Sequence, residues 1–195
     1  MPAKKKIDKE MILEASLSIL RGEGYSALNV RRIAKELKCS TQPIYYIFGN
    51  METLLAEIKA EAEKVHHKYV SKYLEDEKYR NYPSYGLGFV RFATEEKELF
   101  RYLYLYEEKG GKKVDDIHLE AIYELIQKEY GYSREISEKF HSQMSFYSYG
   151  LAMMMNTGYI KLSDEEISEN LNTEFMALIS VFGPPPAFIG KKIGD

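Results

Sequence analysis

The segment STQPIYYIFGN, at positions 40–50, concentrates side chains that form directional hydrogen bonds or present flat ring faces. The Gln42 amide can pair with an adenine edge, and the Thr41 hydroxyl can donate or accept a hydrogen bond. Tyr45 and Tyr46 supply hydroxyls for phosphates and rings for thymine methyls or sugars. These residue types suit a surface that contacts nucleic acid.

A short helix with two different halves would display these side chains. Successive residues turn by about 100° in a helix, which places the polar and aromatic residues Thr41, Gln42, Tyr45 and Tyr46 opposite Pro43, Ile44, Ile47 and Phe48. A helix this short is marginal in water, so we predict that its apolar half is anchored on neighbouring helices. Ser40 is the predicted N-cap, and Gly49 is the predicted end.

Two further helices are predicted before this one. Asp8 caps the first, which ends at Gly22 and Gly24. Asn29 caps the second, whose inward stripe is Val30, Ile33, Ala34 and Leu37. Arg31 and Arg32 stay outside and supply charge for phosphates or a guanine. Two short helices joined by a three-residue turn form a helix-turn-helix. A three-helix cap on a larger bundle, with half-buried tyrosines, is the alternative.

The charge distribution agrees with an anionic partner for the N-terminal part. Residues 1–50 contain nine basic and five acidic residues, a net charge of +4, whereas the remaining residues carry −7 of the total −3. A basic front on an acidic body indicates a surface for an anion. The single cysteine, Cys39, excludes an intrachain disulfide and fits a reducing cytoplasm.

Several classes of function are excluded by what the sequence contains. No apolar run approaches the ~18 residues of a membrane span. Glu63 and His67 stand four residues apart without a third metal ligand, so we expect no metal site. No cofactor motif and no catalytic constellation can be built, and the protein is not expected to be an enzyme.

Residues 8–55, DKEMILEASLSILRGEGYSALNVRRIAKELKCSTQPIYYIFGNMETLL, resemble the DNA-binding domain of the tetracycline-repressor (TetR) family of bacterial transcription regulators. The resemblance implies an all-α protein, with a three-helix DNA-binding domain at 1–50 and a larger helical domain at 51–195 that dimerises and often holds an effector. It also places the operator contacts at Arg31, Thr41, Gln42, Pro43, Tyr45 and Tyr46. Many relatives have a phosphate-binding lysine where this chain has Met51, so Asn50 or the helix N-terminus is expected to replace it.

The rest of the chain is predicted to be helical at 51–75, 84–95, 97–108, 115–130, 134–158 and 164–182, with a poorly ordered tail at 184–195. Its aromatic and methionine side chains suit an adaptable apolar pocket, although ordinary core packing is the alternative. We expect an apolar or cationic-aromatic effector near Tyr102, Tyr106, Tyr147 and Met154.

Apolar stripes on the last two helices predict how two copies associate. Two helices from each subunit would form a four-helix bundle with two-fold symmetry. The predicted interface residues are Met144, Tyr147, Leu151, Leu171, Phe175 and Leu178. Each stripe could serve the core of the single chain instead.

These observations predict a cytoplasmic homodimer that binds a palindromic DNA operator and regulates transcription as a ligand-responsive repressor. Effector binding would change the separation of the two DNA-binding domains of the dimer by shifting the population of conformers. Two alternatives remain: an architectural or division-linked DNA-binding protein without an effector, and a protein–protein adaptor.

Overall fold

Helices make up the regular structure in the part of the chain that the computed structural model describes, residues 7–76, 78, 82–106 and 119–183. The all-α class is thereby confirmed for these residues. The α-helices are α1 Lys9–Glu23, α2 Val30–Glu36, α3 Gln42–Phe48, α4 Met51–Glu75, α5 Pro83–Glu95, α6 Lys97–Tyr104, α7 Leu119–Tyr130, α8 Arg134–Asn156 and α9 Asp164–Phe182. A single turn of 3₁₀ helix, Tyr25–Ala27, follows α1. The helices form two compact units, which are described in turn.

Side-chain caps set the starts of α1 and α2. Asp8 Oδ1 accepts a hydrogen bond from the Met11 backbone N–H at 2.9 Å, and Asn29 Oδ1 accepts one from the Arg32 backbone N–H at 2.9 Å. Gly24 ends α1 with a φ of 78°, a conformation that residues with a side chain rarely adopt. Both predicted caps are confirmed, because short polar side chains satisfy backbone N–H groups that the first helical turn leaves without partners.

The third helix begins differently from the prediction. Thr41, and not Ser40, precedes α3, and no side chain caps its first N–H groups. Pro43 lies in the first turn, where its missing N–H removes no bond within the helix. Burial of Ile44 and Phe48 holds this short helix in place instead. The anchoring apolar half is therefore as predicted, whereas the cap is not.

The first unit, described over residues 7–67 and 96–106, includes more than the helix-turn-helix. Arg21 forms two hydrogen bonds with Glu96, Nε to Oε2 at 2.8 Å and Nη2 to Oε1 at 3.0 Å. The Tyr25 ring stacks on Tyr102 with centroids 5.3 Å apart, and the Tyr102 hydroxyl donates to the Leu55 carbonyl at 3.1 Å. These contacts place α6 in the same packed unit as α1 and the start of α4, although the sequence predicts a domain boundary at residue 50.

In the second unit, described over residues 68–76, 78, 82–95 and 119–183, α5 packs against both α8 and α9. A Cβ at Gly88 would lie 2.7 Å from Val70 Cα, so glycine permits the close approach of α5 to the end of α4. The buried Asn156 side chain donates from Nδ2 to the Ala93 carbonyl at 2.8 Å and joins the ends of α8 and α5. In this unit the largest fully buried rings are Phe92 and Phe140.

Polar contacts fix the start of α9. Ser163 and Glu166 form a reciprocal capping box, the Ser163 hydroxyl accepting from the Glu166 N–H at 3.2 Å. Asp164 accepts a hydrogen bond from the Tyr73 hydroxyl at 3.1 Å and pairs with Arg91. These contacts attach the first turn of α9 to α4 and α5.

The predicted helix limits agree best where a cap is encoded locally. The bounds of α4 and α9 are those predicted, whereas α6 ends at Tyr104 and α8 ends at Asn156. Residues 107–108 and 115–118, for which helix was predicted, and the tail at 184–195, which was predicted to be poorly ordered, lie outside the described residues. Among the described helices, none is long and apolar enough to cross a membrane.

The residues predicted for the dimer interface lie mainly inside the second unit. Five are buried within the single chain, so their side chains already pack against other helices of that unit: Met144, Leu151, Leu171, Phe175 and Leu178. Tyr147 is half-buried, and its hydroxyl donates to Asn170 Oδ1 at 3.3 Å. These five side chains thus contribute to the core of the single chain, and their place in a dimer interface stays a prediction. Helical periodicity does not reveal which neighbour covers an apolar face.

Candidate nucleic-acid interface

The two halves of α3 are distributed as the sequence predicts. Ile44 and Phe48 are buried, whereas Tyr45 and Tyr46 are 49% and 90% exposed. Gln42 is also exposed, and Thr41 and Pro43 are half-buried at the start of the helix. The outer half of α3 thus presents an amide, two phenols and a hydroxyl on a rigidly anchored helix.

A tight turn sets the direction of α3 relative to α2. The Leu37 N–H donates to the Ile33 carbonyl at 3.0 Å, and the Cys39 N–H donates to the Ala34 carbonyl at 3.0 Å. Lys38 adopts a φ of 52°, the left-handed region that few residues with a side chain enter. The backbone therefore reverses sharply after α2 and leads into α3, as a helix-turn-helix requires.

An open groove of about 500 Å³ lies between α2, α3 and the start of α4. It is lined by Asn29, Val30, Arg31, Tyr45 and Met51. Arg31 is exposed, and within the described part of the chain it forms no ion pair. The groove thus combines one cation and one phenol with two apolar side chains, a composition that suits a sugar–phosphate backbone.

Arg32, the neighbouring arginine, is engaged by two carboxylates. Its Nε lies 3.1 Å and its Nη2 2.5 Å from Glu23 Oε1, and its Nη1 lies 2.8 Å from Glu36 Oε2. The hydrogen bond from Arg32 holds the pKa of the Glu23 carboxyl below its ordinary value, and the two carboxylates raise the pKa of the guanidinium. Both arginines were predicted to lie outside and supply charge, but Arg32 is paired with two carboxylates, whereas Arg31 has no acidic partner among the described residues.

Asn50 has a local structural role at the start of α4. Its Oδ1 accepts a hydrogen bond from the Thr53 backbone N–H at 2.8 Å, which caps the helix. The adjacent Met51 lies in the groove and carries no charge. The N-terminus of α4 contributes partial positive charge at this point.

The residues predicted to line an effector pocket are divided between the units. Tyr102 and Tyr106 lie in the first unit, where both rings contact Tyr25, with centroids 5.3 Å and 4.9 Å away. Tyr147 and Met154 lie on α8 in the second unit. Neither unit holds all four residues, and their assignment to an effector stays a prediction.

The second unit contains a buried polar centre that was not predicted from the sequence. His141 is buried on α8, with the Tyr82 hydroxyl 2.7 Å from its Nδ1 and the Ser145 hydroxyl 3.2 Å from its Nε2. The rings of Tyr85 and Tyr123 pack against the imidazole edge to face, at 6.0 Å and 5.7 Å. The spacing of His141 and Ser145 by four on one helix was the available signal, but Tyr82 is distant in sequence.

Helices α2 and α3, their turn and the exposed half of α3 together define a helix-turn-helix DNA-binding domain. Residues 12–58 match the family model of the bacterial regulatory proteins of the tetR family. The N-terminal part of the chain is therefore similar to the DNA-binding domain of the TetR family, and the resemblance noted in the sequence is confirmed over these residues. No curated protein sequence matches the chain.

Solved structures extend the likeness of fold to most of the chain. A TetR-family transcription regulator from Marinobacter aquaeolei VT8 is 19% identical with a TM-score of 0.63, and the match covers 86% of this chain and 93% of that one. A TetR-like regulator from Rhodococcus sp. RHA1 is 14% identical with a TM-score of 0.63, covering 92% and 98%. ActR from Streptomyces coelicolor, in complex with (S)-DNPA, is 17% identical with a TM-score of 0.59, covering 91% and 99%. The chain therefore shares the fold of these proteins.

Proposed function

We propose that this chain is a transcriptional repressor that binds a palindromic DNA operator as a homodimer and releases it when a small effector binds. The observation that carries the proposal is the exposed half of α3, where Gln42, Tyr45 and Tyr46 project from a helix anchored on its other side. The second helix of a helix-turn-helix enters the major groove of DNA. Such a role belongs in the cytoplasm and requires no catalytic chemistry.

Each exposed group has a distinct part in the proposed contact. Gln42 reads an adenine edge through its amide, and Thr41 bonds a base or phosphate at the start of α3. Tyr45 and Tyr46 contact phosphates and sugars, while Pro43 packs against the backbone or a thymine methyl. Arg31 neutralises a phosphate beside the groove. Asn50 contributes through the α4 N-terminus that it caps.

The proposed homodimer uses the outer faces of α8 and α9, since the inner faces form the core of the second unit. Phe146 is 68% exposed on α8, and Gly150 follows four residues later, where a Cβ would meet nothing within 4 Å. On α9, Val181 is 76% exposed and Met176 is also exposed. Exposed apolar side chains along two adjacent helices suit a self-complementary interface with a second copy of this chain.

The interface is tested by adding charge to it. The double variant Phe146→Glu/Val181→Glu should give a folded monomer, because it buries no charge in the core of the single chain. Ala121→Glu, at an exposed position on α7, is the control and should leave the dimer intact. Sedimentation gives the mass and circular dichroism the helicity. A folded double variant that still sediments as a dimer rules this interface out.

A small apolar or cationic-aromatic molecule is the proposed effector. Support comes from the ActR structure, in which a protein of this fold is bound to (S)-DNPA. A thermal-shift screen of metabolites identifies compounds that stabilise the chain. Substituting Tyr102, Tyr106, Tyr147 and Met154 one at a time by alanine then shows which of them bind the compound. If no compound raises the melting temperature, an architectural DNA-binding protein without an effector becomes the better interpretation.

DNA binding itself is tested with a random-sequence duplex at two salt concentrations. Binding that weakens steeply with salt supports a DNA-binding protein, because phosphate contacts release counterions. Selection of bound fragments from the source genome then yields the operator, which should be a palindrome with half-sites about 34 Å apart or a multiple of this distance. If the chain does not bind the duplex at low salt, a protein–protein adaptor becomes the better interpretation.

A further inference from the structure

We infer that Glu23 and Glu36 mask Arg32 from DNA, so that Arg31 alone of the two adjacent arginines neutralises phosphate. In this arrangement Arg32 is a positioning residue that ties α2 to the end of α1. The inference deepens the proposed function and rests on it, since it concerns how the helix-turn-helix contacts the DNA backbone.

The geometry around Arg32 uses the guanidinium on two sides. Its Nη2 donates to Glu23 Oε1 at 2.5 Å, its Nε donates to Glu23 Oε2 at 3.2 Å, and its Nη1 donates to Glu36 Oε2 at 2.8 Å. Two-point pairing of this kind is the strongest form of arginine–carboxylate contact. To contact a phosphate, Arg32 would have to give up these bonds.

The charges of the cluster lead to the same conclusion. Arg32 and its two carboxylates together carry one more negative than positive charge, so the cluster as a whole does not attract a phosphate. Arg31 differs, because it lines the groove beside Tyr45 and, among the described residues, has no acidic partner. Adjacent residues of the same type therefore have different electrostatic roles.

The positions of the two carboxylates explain the positioning role. Glu23 is the last residue of α1, directly before Gly24 turns the chain, and Glu36 is the last residue of α2. Arg32 bridges them from the first turn of α2. The bridge fixes the orientation of α2 against the end of α1, and thereby the side on which Arg31 emerges.

The test compares matched substitutions of the two arginines. A fluorescein-labelled random-sequence duplex is titrated with wild type, Arg31→Gln and Arg32→Gln over a range of salt concentrations, with helicity measured for each. Arg31→Gln should flatten the slope of log affinity against log salt concentration by about 0.9 for each DNA-binding domain bound. Arg32→Gln should leave that slope unchanged and lower the melting temperature. The double variant Glu23→Gln/Glu36→Gln removes both carboxylates that pair with Arg32. It should steepen the slope by up to about 0.9 for each DNA-binding domain, because Arg32 can then contact a phosphate.

Each result has one meaning. If Arg32→Gln flattens the slope as much as Arg31→Gln does, Arg32 is a phosphate contact and the inference is overturned. If Arg32→Gln does not fold, the variant lacking both carboxylates decides: a steeper slope supports masking, and an unchanged slope refutes it. A wild-type chain that does not bind the duplex at low salt refutes the proposed function instead, which distinguishes that failure from failure of the masking alone.

Discussion

The Tyr82 hydroxyl lies 2.7 Å from His141 Nδ1, and both side chains are buried in the second unit. The Tyr82 ring also packs against Phe140 and Phe175, with centroids 5.8 Å and 6.1 Å away. This hydrogen bond therefore joins the segment before α5 to the first half of α8 inside an aromatic core. It satisfies two polar groups that water cannot reach.

Replacing Tyr82 by phenylalanine should destabilise the protein while preserving its shape. The change removes only the hydroxyl and leaves His141 Nδ1 buried without it, which costs about 1–3 kcal/mol in the free energy of unfolding. Urea denaturation followed by circular dichroism measures the change. Tyr159→Phe, at a side chain that is 81% exposed, should have almost no effect. Equal stabilities for the two variants would contradict the assigned role of the Tyr82 hydroxyl.

The protein should lose stability in alkaline solution. Burial raises the pKa of Tyr82 well above its ordinary value, and burial also raises the pKa of Tyr130. The unfolded chain ionises its tyrosines near pH ~10 while the folded chain keeps these two neutral, so their contribution is fully present below that pH and falls above it. Each group contributes a decline of about 1.4 kcal/mol per pH unit. Denaturation curves of Tyr82→Phe above pH ~10 should show a shallower decline than wild type.

Gly88→Ala should destabilise the second unit. The added methyl would lie 2.7 Å from Val70 Cα and 2.9 Å from the Tyr69 carbonyl oxygen, so the two backbones must separate. Such overpacking costs about 1–3 kcal/mol. Gly22→Ala is the matched control, since a Cβ there meets nothing within 4 Å in α1 and alanine favours a helix. Thermal unfolding should rank the variants with Gly88→Ala lowest, and a Gly88→Ala protein as stable as wild type would disprove the close approach.

Gln42→Ala should weaken binding to the operator by roughly 1–3 kcal/mol and relax the base preference at one position in each half-site. The reason is that Gln42 is exposed at the start of α3 and carries the amide proposed to read an adenine edge. Gln127→Ala on α7 is the control and should leave affinity unchanged. The measurement is fluorescence anisotropy with the operator selected from the genome. If Gln42→Ala binds the operator with unchanged affinity, the proposal that α3 enters the major groove is contradicted.

Met51→Lys should strengthen DNA binding and make it more sensitive to salt. The side chain lines the groove that holds Arg31 and stands at the N-terminus of α4, so a lysine adds a cation where a phosphate is proposed to lie. One additional phosphate contact steepens the slope of log affinity against log salt concentration by about 0.9 for each DNA-binding domain. Met51→Gln adds length and polarity without charge and should leave the slope as it is. If Met51→Lys has the same salt slope as wild type, the proposal that a phosphate lies at this groove is contradicted.

Local sequence determined the features that depend on a few consecutive residues. Asp8, Asn29 and Ser163 cap helices where a side-chain oxygen reaches the N–H three residues later. The two halves of α3 also follow from helical spacing, since the angle between neighbouring side chains is a property of the helix itself. The helix-turn-helix and its exposed residues were predictable for this reason.

Only the tertiary structure decided which partner each side chain meets. Arg31 and Arg32 are equivalent in the sequence, and the Arg32–Glu23 pair forms because the chain reverses at Gly24 between them. Similarly, the apolar stripe through Leu151 predicted a buried face but not whether its own chain or a second copy covers it. A periodic pattern records that a face avoids water, whereas the identity of its neighbour depends on how distant helices are packed together.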